Sequence, residues 1–123
     1  MGIISLKNQK EFEFVNKNGI KLHGLYYILI VSQNSPNNPS HADFTKLGMK
    51  VSRKYSKKSV IRNKAKRRIR HLITLLYQDV AVNTAGKSLV IIPKLGFDKF
   101  NFASIHSNLK ANFLKIALKL DKK

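Results

Sequence analysis

The chain has 123 residues, with 24 Lys or Arg against 6 Asp or Glu, a formal net charge of +18 and no cysteine. That length fits one domain, residues 1–123, with enough apolar content for a core, and the missing thiols exclude disulfide scaffolds, thiolate zinc fingers and cysteine nucleophiles. The charge asks for a polyanionic partner, nucleic acid before an anionic membrane surface.

In chain order, the first element is a short helix in NQKEFEFVNKNG. Asn8 and Glu11 have the spacing of a capping box there, and Asn18-Gly19 makes a stop. Its apolar residues Phe12, Phe14 and Val15 do not share one stripe. A strand around Leu22 to Ser32 follows, rich in Tyr and Ile, and then QNSPNNPSHAD, whose turn formers and two prolines read as an exposed loop. The apolar run LYYILIV is too short to span a bilayer. The N-terminus lacks the charged, apolar, small-residue order of a signal peptide, so a cytoplasmic protein without membrane contact is expected. From Thr45 to Ser52 the pattern TKLGMKVS alternates. It predicts a half-buried strand with Leu47, Met49 and Val51 on one face and Lys46, Gly48 and Lys50 on the other.

Between Asp43 and Asp79 there is no acid, yet half of the 24 basic residues fall there. The densest stretch is KKSVIRNKAKRRIRHL, Lys57 to Leu72. From Ser59 to Tyr77, Ile61, Ala65, Ile69, Leu72 and Leu76 recur at helix spacing, a seam for the core. Asn63, Lys66, Arg67 and Arg70 cluster on the opposite side. Like charges at i,i+4 repel, and the cations crowd the positive end of the helix dipole. Electrostatics alone disfavours this helix, so an anion outside the chain is expected to relieve it. VNTAGKS then leads to a strand, Leu89 to Pro93, and KLGFDKFN is a loop. Phe102, Ile105, Leu109, Phe113, Ile116 and Leu120 mark a strongly amphipathic last helix from about Phe102 to Leu120.

Side-chain catalysis finds little support. AGKS, Ala85 to Ser88, lacks the first glycine of a phosphate loop and stands between a helix and a strand, the reverse of the order required; a loop glycine capping a helix is the better reading. The six acids offer no recognisable catalytic carboxylate pair, and His23, His41, His71 and His106 stand far apart without metal-like spacing. The basic helix is a different matter. A merely solvated face normally mixes signs, and a membrane-surface helix wants Trp or Phe along its apolar side. Arg and Lys here suit phosphate contacts, the first bidentate and the second as point charges. Asn63 either fixes an Arg or the backbone locally, or contacts a base or sugar. Strands flank the helix, so a helix-turn-helix layout is absent. Aromatic residues on a sheet beside a basic helix suit single-stranded RNA.

The segment KVSRKYSKKSVIRNKAKRRIRHL, Lys50 to Leu72, resembles the signature of the bacterial ribonuclease P protein family. In that family a strand ends in Ser-Lys-Lys, and a helix after a short loop opens with Arg-Asn-Arg and continues with Lys-Arg and Arg. The matching residues are Ser52-Arg53-Lys54, Arg62-Asn63-Lys64, Lys66-Arg67 and Arg70. LKNQKEFEFVNKNG resembles the family's first helix with Phe12 as its aromatic, and LVIIPKLGFDKFNFASI resembles the closing strand, loop and helix. Lys64 keeps the charge of the trio's last Arg but loses its bidentate geometry. The loop RKYSKK is one residue longer than usual and lacks the common glycine; Asn16 and Ile30 stand where apolar or aromatic residues are frequent.

The resemblance implies an α+β fold: a single-domain α/β sandwich with a central sheet of about four strands covered by helices. It also implies a left-handed βαβ crossover, as in domains of a ribosomal protein and of elongation factor G. General topology rules predict the opposite hand. It further implies an accessory subunit of an endoribonuclease that removes the 5′ leader of precursor tRNA. The chemistry then resides in a partner catalytic RNA with Mg²⁺ held mainly by that RNA, with no metal on protein side chains and no protein partner required. Arg53, Lys54, Lys57, Lys58, Arg62, Asn63, Lys64, Lys66, Arg67 and Arg70 are expected to meet the catalytic RNA. Phe12 is expected to stack the leader, with Tyr26 and Lys50 as further contacts; a one-residue slip of register would exchange Tyr26 for Tyr27. A structural RNA-binding protein such as a ribosome component, or a nuclease acting by its own side chains, are the rival readings.

Overall fold

A computed structural model describes residues 3–6, 9–34 and 44–121. Its elements are β1 (Ile3–Ser5), α1 (Gln9–Asn18), β2 (Ile20–His23), β3 (Tyr27–Gln33), β4 (Thr45–Met49), α2 (Ser59–Gln78), β5 (Lys87–Pro93) and α3 (Phe102–Asp121). The strands form one sheet in the order β1-β4-β5-β3-β2. β4 runs parallel to both β1 and β5, while β3 runs antiparallel to β5 and β2. The chain from β4 to β5 is therefore a crossover through the basic helix.

The sheet has five strands, where about four were expected. The apolar stretch read as one strand from Leu22 to Ser32 is two, β2 and β3, folded back at 24–26 with the Gly24 N–H donating to Tyr27 O at 2.8 Å. β1 is the other addition, and three residues are too short to show an alternation. Asn8 lies outside the described residues, as does most of the proline-containing loop. Gly86 caps no helix: α2 ends at Gln78, and Gly86, at φ 74°, sits in the turn that enters β5. A left-handed conformation there favours glycine.

Two cores lie on the two faces of the sheet. The larger contains Tyr27, Leu29, Val31, Leu47, Leu89 and Ile91 from the strands, packed on Ala65, Ile69, Leu72, Ile73 and Leu76 of α2 and on Ile105, Leu109, Phe113 and Ile116 of α3. The smaller lies under α1, where Val15, Leu6, Ile30 and Val90 are buried with Phe12, Ile28 and Ile92 against them. The alternation predicted along β4 is present, with Leu47, Met49 and Val51 in the larger core. The strand is central rather than half-buried, because α1 covers its other face and leaves Lys46 only 2% exposed.

Packing decides that α2 is a helix. Ile69, Leu72, Ile73 and Leu76 are each at most 1% exposed. At roughly 1.5–3 kcal/mol per buried side chain they contribute about 6–12 kcal/mol. Like-charged neighbours such as Arg62–Lys66, Lys64–Arg68 and Lys66–Arg70 oppose this by about 0.2–0.5 kcal/mol each. The N-cap is Lys58, with no side-chain cap hydrogen bond and no acid in the first turn. This start forgoes a cap of typically ~1 kcal/mol. α3 begins with better chemistry, the Ser104 N–H donating to Asn101 Oδ1 at 3.0 Å.

Candidate nucleic-acid interface

The cleft begins with the parity of β4. Lys46, Gly48 and Lys50 point toward α1, and each is used differently. Lys46 Nζ lies 3.9 Å from Glu11 Oε1 and ties α1 to the sheet. Gly48 leaves room for the Phe12 ring, whose Cε1 would lie 2.6 Å from any Cβ at that position. Lys50 is exposed, and its Nζ stands over the same ring, 5.6 Å from the centroid, within cation–π range. Phe12 and Lys50 line a cleft of about 340 Å³ together with Gln9, Glu13 and Asn16.

Positions 9, 12, 13 and 16 recur at three and four, so one stripe of α1 forms a wall of the cleft. That spacing is present in the sequence, but nothing in residue type sets Gln9, Glu13 and Asn16 apart from ordinary solvent-facing residues. The sheet extends the surface. Lys50 N donates to Ile91 O, and Ile28 pairs with Ile92 and with His23. A row of His23, Ile28, Ile92 and Lys50 therefore shares the α1 side, with the two isoleucines half-buried. Ile30 lies deeper, 1% exposed in the core under α1, and lines no cleft.

Neither tyrosine joins Phe12. Tyr27 faces the larger core at 1% exposure; its hydroxyl donates to Asn108 Oδ1 at 2.8 Å and accepts from Asn112 Nδ2 at 3.0 Å. Burial raises that phenol to about 12. Tyr26 precedes β3 at the hairpin bend and packs on the larger core, its ring 5.0 Å from that of Phe100. Of Phe12, Tyr26 and Lys50, expected together at the leader, the structure brings Phe12 and Lys50 together and places Tyr26 apart from them at the end of the sheet. The turn at 24–26 takes Tyr26 out of the strand whose alternation would have aimed it.

Three residues beyond Lys50 of the cleft, the chain enters the basic loop at Arg53. The N–H groups of Tyr55 and Ser56 donate to Ser52 O at 3.0 and 3.4 Å, and that of Lys54 donates to Ser52 Oγ at 3.2 Å. Arg62 reaches back from α2, its Nη1 donating to Ser56 O at 2.9 Å and to Lys57 O at 3.0 Å. It therefore shapes the loop as well as adding charge. Arg53, Lys54, Lys57 and Lys58 are exposed and form no ion pair with a described residue.

Along α2, Asn63, Arg67 and Arg70 are exposed and Lys66 half-buried, opposite the seam as expected, and Lys64 is exposed as well. Arg70 also stands beside an apolar slot lined by Ile3, Leu47, Met49 and Ile73. Arg68 differs from its neighbours. Its Nη1 donates to Phe97 O at 3.0 Å and Phe100 O at 2.6 Å, so it fastens α2 to the loop after β5. Sequence counting does not separate Arg68 from Arg67, because both are basic and adjacent.

This arrangement can hold a chain of phosphates along the helix and loop and an unstacked base over Phe12. Among the described residues, no group of three His, Asp or Glu side chains converges to hold a metal ion.

The ribonuclease P family model matches residues 4–117. The ribonuclease P protein component of Rickettsia akari is 46% identical over 94% of this chain and 98% of its own length. That of Rickettsia peacockii is 47% identical over the same shares. The ribonuclease P protein of Thermotoga maritima superposes with a TM-score of 0.71 at 25% identity, covering 92% of this chain and 97% of that one. The Staphylococcus aureus protein superposes at 0.69 with 24% identity, over 92% and 94%. With its α+β sandwich, RNA-suited surfaces and near full-length matches, the chain belongs to the ribonuclease P protein family, the RNA-binding subunit of a tRNA-processing, RNA-cleaving complex.

Proposed function

We propose that this chain docks on the catalytic RNA of ribonuclease P through the Arg53–Lys58 loop and the Asn63, Lys64, Lys66, Arg67 and Arg70 face of α2, with Arg62 bracing the loop. The 5′ leader of precursor tRNA then lies in the Phe12–Lys50 cleft. The observation that carries this reading is continuity: Lys50 in the cleft is followed, three residues on, by the basic loop, and the loop by the basic helix. A single RNA-protein surface can thus span substrate and partner.

In this reading the bond is cut by the partner RNA with Mg²⁺ held mainly by that RNA. The protein binds, orients and screens. A +18 chain beside concentrated phosphate offsets part of the repulsion and lowers the Mg²⁺ requirement. Binding through several phosphates releases counterions, so log K falls by roughly 0.7–0.9 per contact for each unit of log[salt]. The proposed setting is the cytoplasm, with no further protein needed. Among the described residues, no helix is long and apolar enough to cross a membrane.

The test is cleavage of precursor tRNA by the cognate catalytic RNA at low Mg²⁺, with and without the protein, beside a control of protein alone. Strong stimulation with an inactive protein-only control supports the proposal. Tight RNA binding without stimulation would move the chain to a structural role, and cleavage by protein alone would place the chemistry in its side chains.

A further inference from the structure

The basic loop has no glycine, and its backbone hydrogen bonds and the Arg62 brace are local, spanning at most six residues. One side chain in it makes a hydrogen bond far along the chain. Tyr55 is 8% exposed, with its ring in the larger core. Its hydroxyl donates to Asp98 Oδ1 at 2.5 Å and accepts from the Asp98 N–H at 2.9 Å, a reciprocal pair across 43 positions. Asp98 is itself 6% exposed. It sits in the loop after β5, which turns at Gly96 (φ 88°) and is held to α2 by the two Arg68 hydrogen bonds.

We infer that Tyr55 and Asp98 are a positioning pair that fixes the basic loop in the shape presented to RNA, resting on the function proposed above. Arg53 and Lys54 precede Tyr55, and Lys57 and Lys58 follow it. Pinning Tyr55, which lies between them, sets the direction of both pairs of cations relative to α2. A loop already in its bound shape loses less freedom on association, so its cations engage together. The pair also places one of only six acids of the chain where it faces a phenol instead of incoming phosphate. Burial and the bond to Asp98 hold the Tyr55 phenol protonated, up to about 12, so it stays a donor throughout the neutral range.

The experiment measures the salt dependence of full-chain binding to the cognate catalytic RNA for wild type and Tyr55→Phe. Each is measured with and without the double change Lys57→Ala, Lys58→Ala, and thermal melting monitors the fold. In wild type, removing the two lysines is expected to lower the slope of log K against log[salt] by about 1.4–1.8, two contacts at 0.7–0.9 each. In the Tyr55→Phe background the same change is expected to lower it by under half as much, because the loop no longer engages as a unit. A merely structural tyrosine would leave the lysine effect equal in both backgrounds, and that result overturns the inference. Should Tyr55→Phe melt below the assay temperature, Asp98→Asn decides. Its amide keeps an acceptor for the phenol and the same backbone N–H, so it should retain the wild-type lysine effect, whereas Asp98→Ala should lose it. Equal effects in these two variants also overturn the pair. A wild type with no salt-dependent RNA binding would refute the proposed function itself, a separate outcome from a wild-type slope that Tyr55→Phe leaves intact.

Discussion

Gly48→Ala is expected to damage both the stability of the fold and the cleft, for one geometric reason. A Cβ on residue 48 would stand 2.6 Å from Phe12 Cε1, 2.9 Å from Phe12 Cζ and 2.7 Å from Leu6 Cδ1, where ordinary contact is 3.4–4 Å. The ring must therefore retreat from the sheet by about 1 Å, taking with it the surface beneath Lys50. Inserting a methyl into a packed contact typically costs about 1–3 kcal/mol. For a chain of this length each kcal/mol lowers Tm by roughly 3–5 °C. Thermal melting measures the first effect, and the ratio of affinities for precursor and mature tRNA in the assembled complex measures the second. In a Phe12→Ala background the added methyl meets no ring, leaving only the flexible end of Leu6, so the stability cost should fall by more than half. A cost below about 0.5 kcal/mol, or an equal cost with and without the Phe12 ring, would refute the placement of Phe12 over Gly48.

Phe12→Ala alone should reduce discrimination between precursor and mature tRNA; an equal loss for both substrates in a binding assay would assign the ring to the core only. Arg67→Ala should leave melting within about 0.5 kcal/mol, as for an exposed surface residue. It should also lower the salt slope of catalytic-RNA binding by about 0.7–0.9, one phosphate contact. Arg68→Ala should do the reverse, lowering stability by about 1–3 kcal/mol through the part-buried Phe97 carbonyl it leaves unsatisfied, with little change in slope. Tyr27→Phe should destabilise the chain by about 1–2 kcal/mol at neutral pH by removing a buried hydroxyl from Asn108 and Asn112. The folded-state phenol is raised to about 12 from an ordinary 10. The native state therefore binds its proton more tightly than the unfolded state, and the Tyr27 contribution is full below pH 10 and lost between pH 10 and 12. Denaturant titrations across that window should show the gap between wild type and Tyr27→Phe closing as pH rises.

Much of the candidate interface was legible because it is local. The i,i+3,i+4 spacing that buries Ala65, Ile69, Leu72 and Leu76 also aims Asn63, Arg67 and Arg70 outward, since one helix cannot turn both sets the same way. The alternation in β4 similarly set Lys46, Gly48 and Lys50 on one face, and tertiary structure only added which helix lies over them. The resemblance anticipated the fold and named Phe12, Tyr26 and Lys50 for one surface, of which the structure brings Phe12 and Lys50 together. It did not anticipate the bend at Tyr26. A seven-residue apolar run gives no warning that its first residues belong to a turn, when the hydrogen bond that closes that turn is only Gly24 to Tyr27.

The sequence by itself determined the partner class, through a charge that no fold can hide, and the two faces of the basic helix, through a period fixed by backbone geometry. Only the tertiary structure divided the cations by task. Arg68 binds two carbonyls some thirty residues away, Arg62 braces the loop before its own helix, and Arg67 stays free to meet solvent. It alone brought Tyr55 to Asp98 across 43 positions. Hydrogen bonds between distant segments depend on how strands and helices stack, and no local pattern of residues encodes that distance.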